Sequence, residues 1–458
     1  MSKPCAALRL SAALLAAIAA LARPASGSPG QHERVLAAEA ASQQSEAQHS
    51  PCGGTLDAEA VLRCALLRSP ELRLARQELA VLAGKRVSAG IWLPGHPLVT
   101  ASVANRRLFP GASPEAQAPV INWSVTLAQE IEIAGQRGAR LTEVEAERST
   151  QQRRVVVAEQ EVAAGALSAY YEMLAADEEV RLTADIARIA EALATVSAAR
   201  AKEALLAPVD ADVARAEAVR IALGHFEAER RHAAAQAVLA SLLGLSGPLA
   251  VAGSLDQMLP APLPAELSIE QAVSSALGLR GEVAAAEQER KVRSAHVNLL
   301  RRLRVPNPTL SLFAQNDGFN ERVLGGGLSV PLFLPAPLGP SRAGEIGSAL
   351  ALVEQADTTL EQVRRRVRVE VTRAVQAEQA YAHELRLFPP DLTNRAQADL
   401  HAIGQALSAH QLAIREALLS QRSLIDLLQA HIRSRLAFAL ARVERMRAIG
   451  QPFTGGKL

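Results

Sequence analysis

The stretch WSVTLAQEIEIAGQR (123–137) carries a strand pattern into a helical one. Val125, Leu127, Ile131 and Ile133 fall on one side of a two-residue alternation, with Gln129 the only polar member of that side. Ser124, Thr126, Glu130 and Glu132 fall on the other side, with small Ala128. That is the period of a strand with one apolar and one polar face. Over 136–200, by contrast, there is no proline, and the only interior glycines are Gly138 and Gly165. About 65 residues at about 1.5 Å each make a helix of roughly 100 Å. Within it Leu182, Ile186, Ile189, Leu193 and Val196 step by four, three, four and three, the seam of a coiled coil. A single amphipathic strand is not stable alone, so partners must lie elsewhere in the chain.

They lie in a duplication. LDAEAVLRCALLRSPEL (56–72) resembles LSIEQAVSSALGLRGEV (267–283): Glu59 matches Glu270, Ala65-Leu66 matches Ala276-Leu277, and Glu71 matches Glu282. Each copy then runs as helical pattern to a proline-containing break, WLPGHP (92–97) or VPNP (305–308). Past the second break, Leu310, Leu312 and Ala314 alternate with Thr309, Ser311 and Gln315, although Phe313 falls on the polar side. Leu324, Leu328, Val330 and Leu332 alternate with glycines and Ser329. The glycines of LGGGLSV read as close packing within a strand, since no helix follows them as it would a phosphate loop. The first copy has a matching earlier strand, with Val99, Ala101 and Val103 against Thr100, Ser102 and Ala104. The pattern predicts two hairpins, about 97–133 and about 308–334, with polar turns GASPEAQAP and NDGFNER.

A second long helix is expected from about 341 to 386, broken at Pro389-Pro390 and resumed toward His401. Return helices are expected over 208–245 and about 411–449. Two hairpins alone leave an apolar-faced sheet with open edges, an aggregation hazard. Closure by symmetry removes it: three chains with four strands each make a 12-stranded barrel, apolar side chains toward lipid and polar ones toward a lumen. The fold class expected is mainly α with a small β part. It is a duplicated helix–β-hairpin–helix repeat forming a trimeric outer membrane barrel continued by a periplasmic coiled-coil tunnel.

Composition agrees with helices packed closely through alanine: 49% of the 458 residues are apolar, yet only 3% are aromatic. Charge is balanced, 49 Lys+Arg against 47 Asp+Glu, which gives no electrostatic case for nucleic acid. Lys3 and Arg9 precede a short apolar run, so 1–27 reads as a secretory signal peptide. Residues 28–54 read as an arm or linker, 55–250 as the first repeat, 251–266 as the inter-repeat linker, 267–450 as the second repeat and 451–458 as a tail. Cys5 leaves with the signal, while Cys52 and Cys64 can close a disulfide in an oxidising compartment. The ten histidines lack metal-ligand spacing, His383, His401, His410 and His431 included, and no catalytic constellation is locally organised. Neither an enzyme, a metal centre nor a cofactor is expected. Trp123 is a candidate membrane-interface residue.

The duplicated helix starts, the passage LAQEIEIAGQRGAR with its partner LSVPLF…SRAGEI, and the terminal SLIDLLQAHIRSRLAFALARVERMRAIG together resemble the TolC-type outer membrane efflux proteins, over nearly all of the chain past the signal. The wording IEIAGQRGAR is nearest to members from heavy-metal efflux systems. The resemblance implies a homotrimer in the outer membrane of a Gram-negative bacterium, in contact with its lipid. It would be a passive exit duct partnered by a periplasmic adaptor and an inner-membrane pump of the proton-driven RND type. A soluble periplasmic coiled-coil adaptor is the alternative; it would place compact β-rich halves around one helical hairpin. The resemblance also implies a periplasmic aperture at the second-copy tip. There the turns EALLAPVDADVARAE and EALLSQRSLIDLLQAH are matched through EALL, and Asp210 with Asp426. Asp426 becomes the ring acid of the aperture, with Gln429 where a second acid can occur, and Arg422 pairs with Asp210 as the lock. Ala417 and Ser420 depart from the family's aromatic and glycine. Independently, three Asp426 carboxylates around a lumen would attract cations.

Overall fold

The computed structural model describes residues 52–105, 121–247, 249–258, 268–316, 322–332, 341–408 and 414–453. The expected signal 1–27, nearly all of the expected arm, both hairpin turns, much of the expected inter-repeat linker, His410 and most of the tail lie outside them. The chain divides into units 1–53 and 54–458, and the described helices and strands all belong to the second.

Each repeat opens on a capped helix. Asp57 accepts from the Ala60 amide at 2.8 Å and starts α1 (Ala58–Arg68), which follows the two-residue strand β1 (Thr55–Leu56). Ser268 does the same for the Gln271 amide and starts α5 (Ile269–Leu279). The helical run before each proline-containing break is two helices. α2 (Pro70–Ala89) begins at a proline, which is tolerated at the first turn, and α6 (Gly281–Arg302) begins at a glycine. Between them in the first repeat come β2 (Leu98–Asn105), β3 (Ile121–Glu130), α3 (Gln136–Lys202) and α4 (Pro208–Leu243). A two-residue strand β4 (Ala250–Val251) pairs in parallel with β1 and closes that repeat. A short 3-10 turn (Leu255–Met258) follows it. The second repeat continues with β5 (Thr309–Asn316), β6 (Arg322–Ser329), α7 (Ala343–Leu385), α8 (Pro390–Ser408) and α9 (Ile414–Ile449).

The four long strands form one antiparallel sheet in the order β2-β3-β5-β6. The hairpins, far apart in sequence, are joined by β3 and β5, where Val125 lies opposite Ala314 and Leu127 opposite Leu312. Register sets Val99, Ala101, Val103, Trp123, Val125, Leu127, Leu310, Leu312, Leu324 and Leu328 on one face, as the alternation predicts. Leu127, Leu312, Leu324 and Leu328 are all exposed in the single chain. Phe313, out of pattern on the polar face, lies directly opposite Gly325. A Cβ at Gly325 would run into its ring, so this glycine is the space the ring occupies.

The strand of the opening stretch ends sooner than alternation suggests. Only Ile131 extends the ladder, through its amide to the Pro308 carbonyl at 2.9 Å. Glu132 instead turns inward and forms a bidentate pair with Arg140. Gly135 then adopts φ 73, a left-handed conformation that favours glycine, and α3 starts at Gln136. Gln136 is fully buried: it accepts from the Ala134 amide at 2.9 Å and donates to Asn307 at 2.8 Å. Asn307 in turn donates to Glu130 at 2.8 Å. The AGQ passage therefore turns a strand into a helix and hydrogen-bonds the first repeat to the second.

α3 runs 67 residues without a break. Its middle packs through Ala163, Ala164, Ala166 and Ala169 beside buried Tyr170 and Tyr171, which meet edge to face at 5.1 Å. The Tyr170 hydroxyl donates to the Ala252 carbonyl at 2.6 Å. Near the helical end, Ile186 and Ala190 of α3, Ala218 and Ile221 of α4, Ala396 and Leu400 of α8, and Ile425 and Leu428 of α9 form one core. Ridges of small and branched residues allow such close helix packing.

Candidate functional site

The helices reverse at two neighbouring tips. α3 ends at Lys202, Ala204 takes φ 58 in the turn, and α4 starts at Pro208, whose missing N–H costs nothing there. The second reversal joins α8 to α9 across 409–413, outside the described residues. Leu193, Ala214, Ile403 and Ala417 bury one another between the four helices. Ala417 is fully buried, so the position that departs from the family's aromatic belongs to this core. The matched EALL segments are not equivalent. Residues 203–206 form the first turn itself, whereas 416–419 lie inside α9.

That offset moves the expected lock. Asp210, in the first turn of α4, pairs with Arg415 at 3.5 Å, and no Arg422–Asp210 ion pair forms within the same chain. Arg415 stands seven residues before Arg422, one heptad nearer the tip and on the same helical stripe. Arg422 and Asp426, both exposed, face a pair on α4 instead. Glu217 and Arg220 hydrogen-bond there with Nε to Oε2 at 2.8 Å. That bond, with Arg220 and then Arg422 as nearby positive charges, holds the Glu217 carboxyl below the usual carboxylate range. Asp426 adds to the stabilisation of the Arg220 guanidinium. The register that packs Ala218 and Ile221 against Ile425 thus sets two acids and two bases face to face. Glu217 and Arg220 were missed in the sequence because an i,i+3 Glu–Arg pair is an ordinary surface pattern. Gln429 is half-buried and lines a crevice of about 260 Å³ with Glu179, Arg231 and Arg433.

Further from the tip, a cavity of about 900 Å³ opens between α3, the α7–α8 break and α9. Buried Arg435 spans its wall, donating to Asp256 at 2.7 Å and pairing with Glu178, so that both repeats and the segment joining them meet at one guanidinium. Burial alone would push that guanidinium down, but Asp256 and Glu178 more than offset it. His431, stacked on Phe388 at 5.3 Å, has its pKa lowered by burial and by Arg435, with Asp256 opposing. Among the described residues no group of three or more His, Cys, Asp or Glu could hold a metal ion. Cys52 and Cys64 are both disulfide-bonded. Trp123 sits on the apolar face near the hairpin end of the sheet, opposite Val103 and Asn316.

Long helices interrupted by two hairpins that merge into one antiparallel sheet define the fold of the TolC-type outer membrane channels. The chain is similar to the outer-membrane channel OprN, with a TM-score of 0.68 and 16% identity over 86% of this chain and 90% of that one. It is similar to the outer membrane protein VceC of Vibrio cholerae, with a TM-score of 0.64 and 17% identity over 87% of this chain and 97% of that one. In sequence it is 28% identical over 285 residues to the cobalt-zinc-cadmium resistance protein CzcC of Cupriavidus metallidurans. Those residues are 61% of this chain and 64% of CzcC, so the match spans less than two thirds of that relative. No family model matches the chain.

Proposed function

We propose that three copies of this chain form a passive exit duct in the outer membrane of a Gram-negative bacterium, continued into the periplasm by the helices. The observation that carries this reading is the four-stranded sheet, with one exposed apolar face and free edges at β2 and β6. Three such sheets joined edge to edge close a 12-stranded barrel and leave no edge unpaired. No helix among the described residues is long and apolar enough to cross a membrane. A soluble adaptor would have no use for this apolar face.

A periplasmic adaptor would dock on the helical portion, and a proton-driven inner-membrane pump would supply the energy. The likeness to CzcC favours divalent metal cations as cargo. The ring of three Asp426, facing Arg220 in each chain, would set the cation preference of the aperture. Purified protein in a planar bilayer tests the reading. The expected result is small, cation-favouring conductance steps, with Asp426→Ala weakening the preference. Failure of folded protein to insert would refute the duct. Loss of zinc, cobalt or cadmium resistance on deletion, restored by the intact gene, is the expected outcome for the cargo; unchanged resistance to all three would overturn it.

A further inference from the structure

The only two tryptophans of the chain sit at opposite ends of the sheet. Trp123 is near the hairpin end of β3, on the apolar face. Trp92 lies in the connector between α2 and β2, at the end where the strands give way to helices. Its side chain is not in a core: Trp92 is 74% exposed, with Ile91 at 52% and Leu93 at 46% beside it. From Trp123 to Ile131 the ladder covers eight residues, about 27 Å along the strand. With strands tilted about 40°, that is about 20 Å of height, and Trp92 lies beyond the ladder's end; the apolar band of an outer membrane barrel is about 25 Å tall.

Two contacts orient the connector. Gln129, the polar residue that interrupts the apolar face, donates to the Gly95 carbonyl at 3.1 Å. The connector is therefore tied to the face that also carries Trp123, Val125 and Leu127. Arg137, in the first turn of α3, donates from Nε to the Gly90 carbonyl at 2.7 Å and places its guanidinium carbon 4.0 Å from the Trp92 ring centroid. Among the described residues no carboxylate lies within ion-pair distance of Arg137, whereas its neighbour Arg140 is taken up by Glu132. An exposed indole under a held guanidinium, with aliphatic side chains on either side, has the chemistry of a lipid headgroup boundary. The ring body enters the acyl edge and the free guanidinium N–H groups meet phosphate oxygens.

We propose that Trp92 and Arg137 form an interfacial anchor for phospholipid headgroups of the periplasmic leaflet, the inner counterpart of Trp123 on the outer side. The proposal rests on the barrel reading above and extends it to the helix–strand connector. With one tryptophan at each end, each can be read alone in the full-length protein. The protein is reconstituted in phosphatidylglycerol-containing vesicles doped with phospholipids brominated at shallow or at deep acyl positions. In the Trp123→Phe variant, Trp92 fluorescence should be quenched, more by shallow than by deep bromines. In the Trp92→Phe variant, Trp123 should also be quenched. Quenching of Trp123 without quenching of Trp92 would overturn the anchor and leave the barrel standing, since Trp92 would then face water or a second copy of the chain. Quenching of neither would overturn both. Adding Arg137→Gln to the Trp123→Phe variant should reduce the preference for shallow bromines; an unchanged preference would remove Arg137 from the anchor.

Discussion

Gly325 and Phe313 show how one out-of-pattern residue explains another. A Cβ at Gly325 would meet ring atoms of Phe313 at 3.0 Å or nearer, on a partner held by the ladder, whereas at Gly326 the nearest atom is 3.7 Å away. Gly325→Val should therefore destabilise the protein by about 1–3 kcal/mol through overpacking, and Gly326→Ala should be near neutral. Thermal unfolding of both variants checks this, and pairing Gly325→Val with Phe313→Ala should recover part of the loss. At the other end of the strands, Gln136→Leu would leave the Asn307 side chain short of a buried partner, at a cost of about 1–3 kcal/mol. Equal stability of that variant and the parent protein would mean that the AGQ passage needs only its glycine.

Among elements, the arrangement of charges between α4 and α9 would determine which substitution opens the proposed aperture. Arg415→Glu sets two acids together at Asp210 and should raise conductance more than Arg422→Glu, which brings a second carboxylate near Glu217 but leaves the tip pair intact. Exposed pairs of this kind contribute only about 0–1 kcal/mol each, so docking of a partner could undo them. If only Arg422→Glu changed the conductance, the Asp210–Arg415 pair would not be what holds the tip. Arg435 differs in being buried. Arg435→Ala removes bonds to two elements and should cost about 1–3 kcal/mol, held down because Glu178 and Asp256 can rehydrate. Beside it, His431 has a folded pKa below its unfolded one, so the unfolded chain takes up a proton first. Stability is then full above about pH 6.5 and declines as pH falls toward the folded value. Unfolding temperatures at about pH 7.5 and about pH 5.5 should differ less in His431→Gln than in the parent protein.

For the whole molecule, the proposed three-fold closure would make β2 of one chain neighbour β6 of the next. Ser102→Cys on β2, combined with single cysteines scanned along β6, should give covalent trimers at one register. Dimers that never advance to trimers would contradict closure by three. Insertion of the proposed barrel into a bilayer would cover the apolar sheet face with lipid, which would account for the leucines left bare on a single chain.

The four strands and their faces, the long helices and the first helical reversal were legible in the sequence. Each rests on local period, proline placement or capping, which a chain carries without reference to its neighbours. The merging of the hairpins through β3 and β5 was not legible, because pairing between residues nearly 200 apart leaves no local trace. The inward turn of Glu132, the exchange of Arg422 for Arg415 at Asp210, and the contact of Arg137 with Trp92 were likewise decided by tertiary structure. In each case a long side chain has several partners within reach of its sequence position. Only the packing of alanine and leucine ridges beneath it determines which of them it meets.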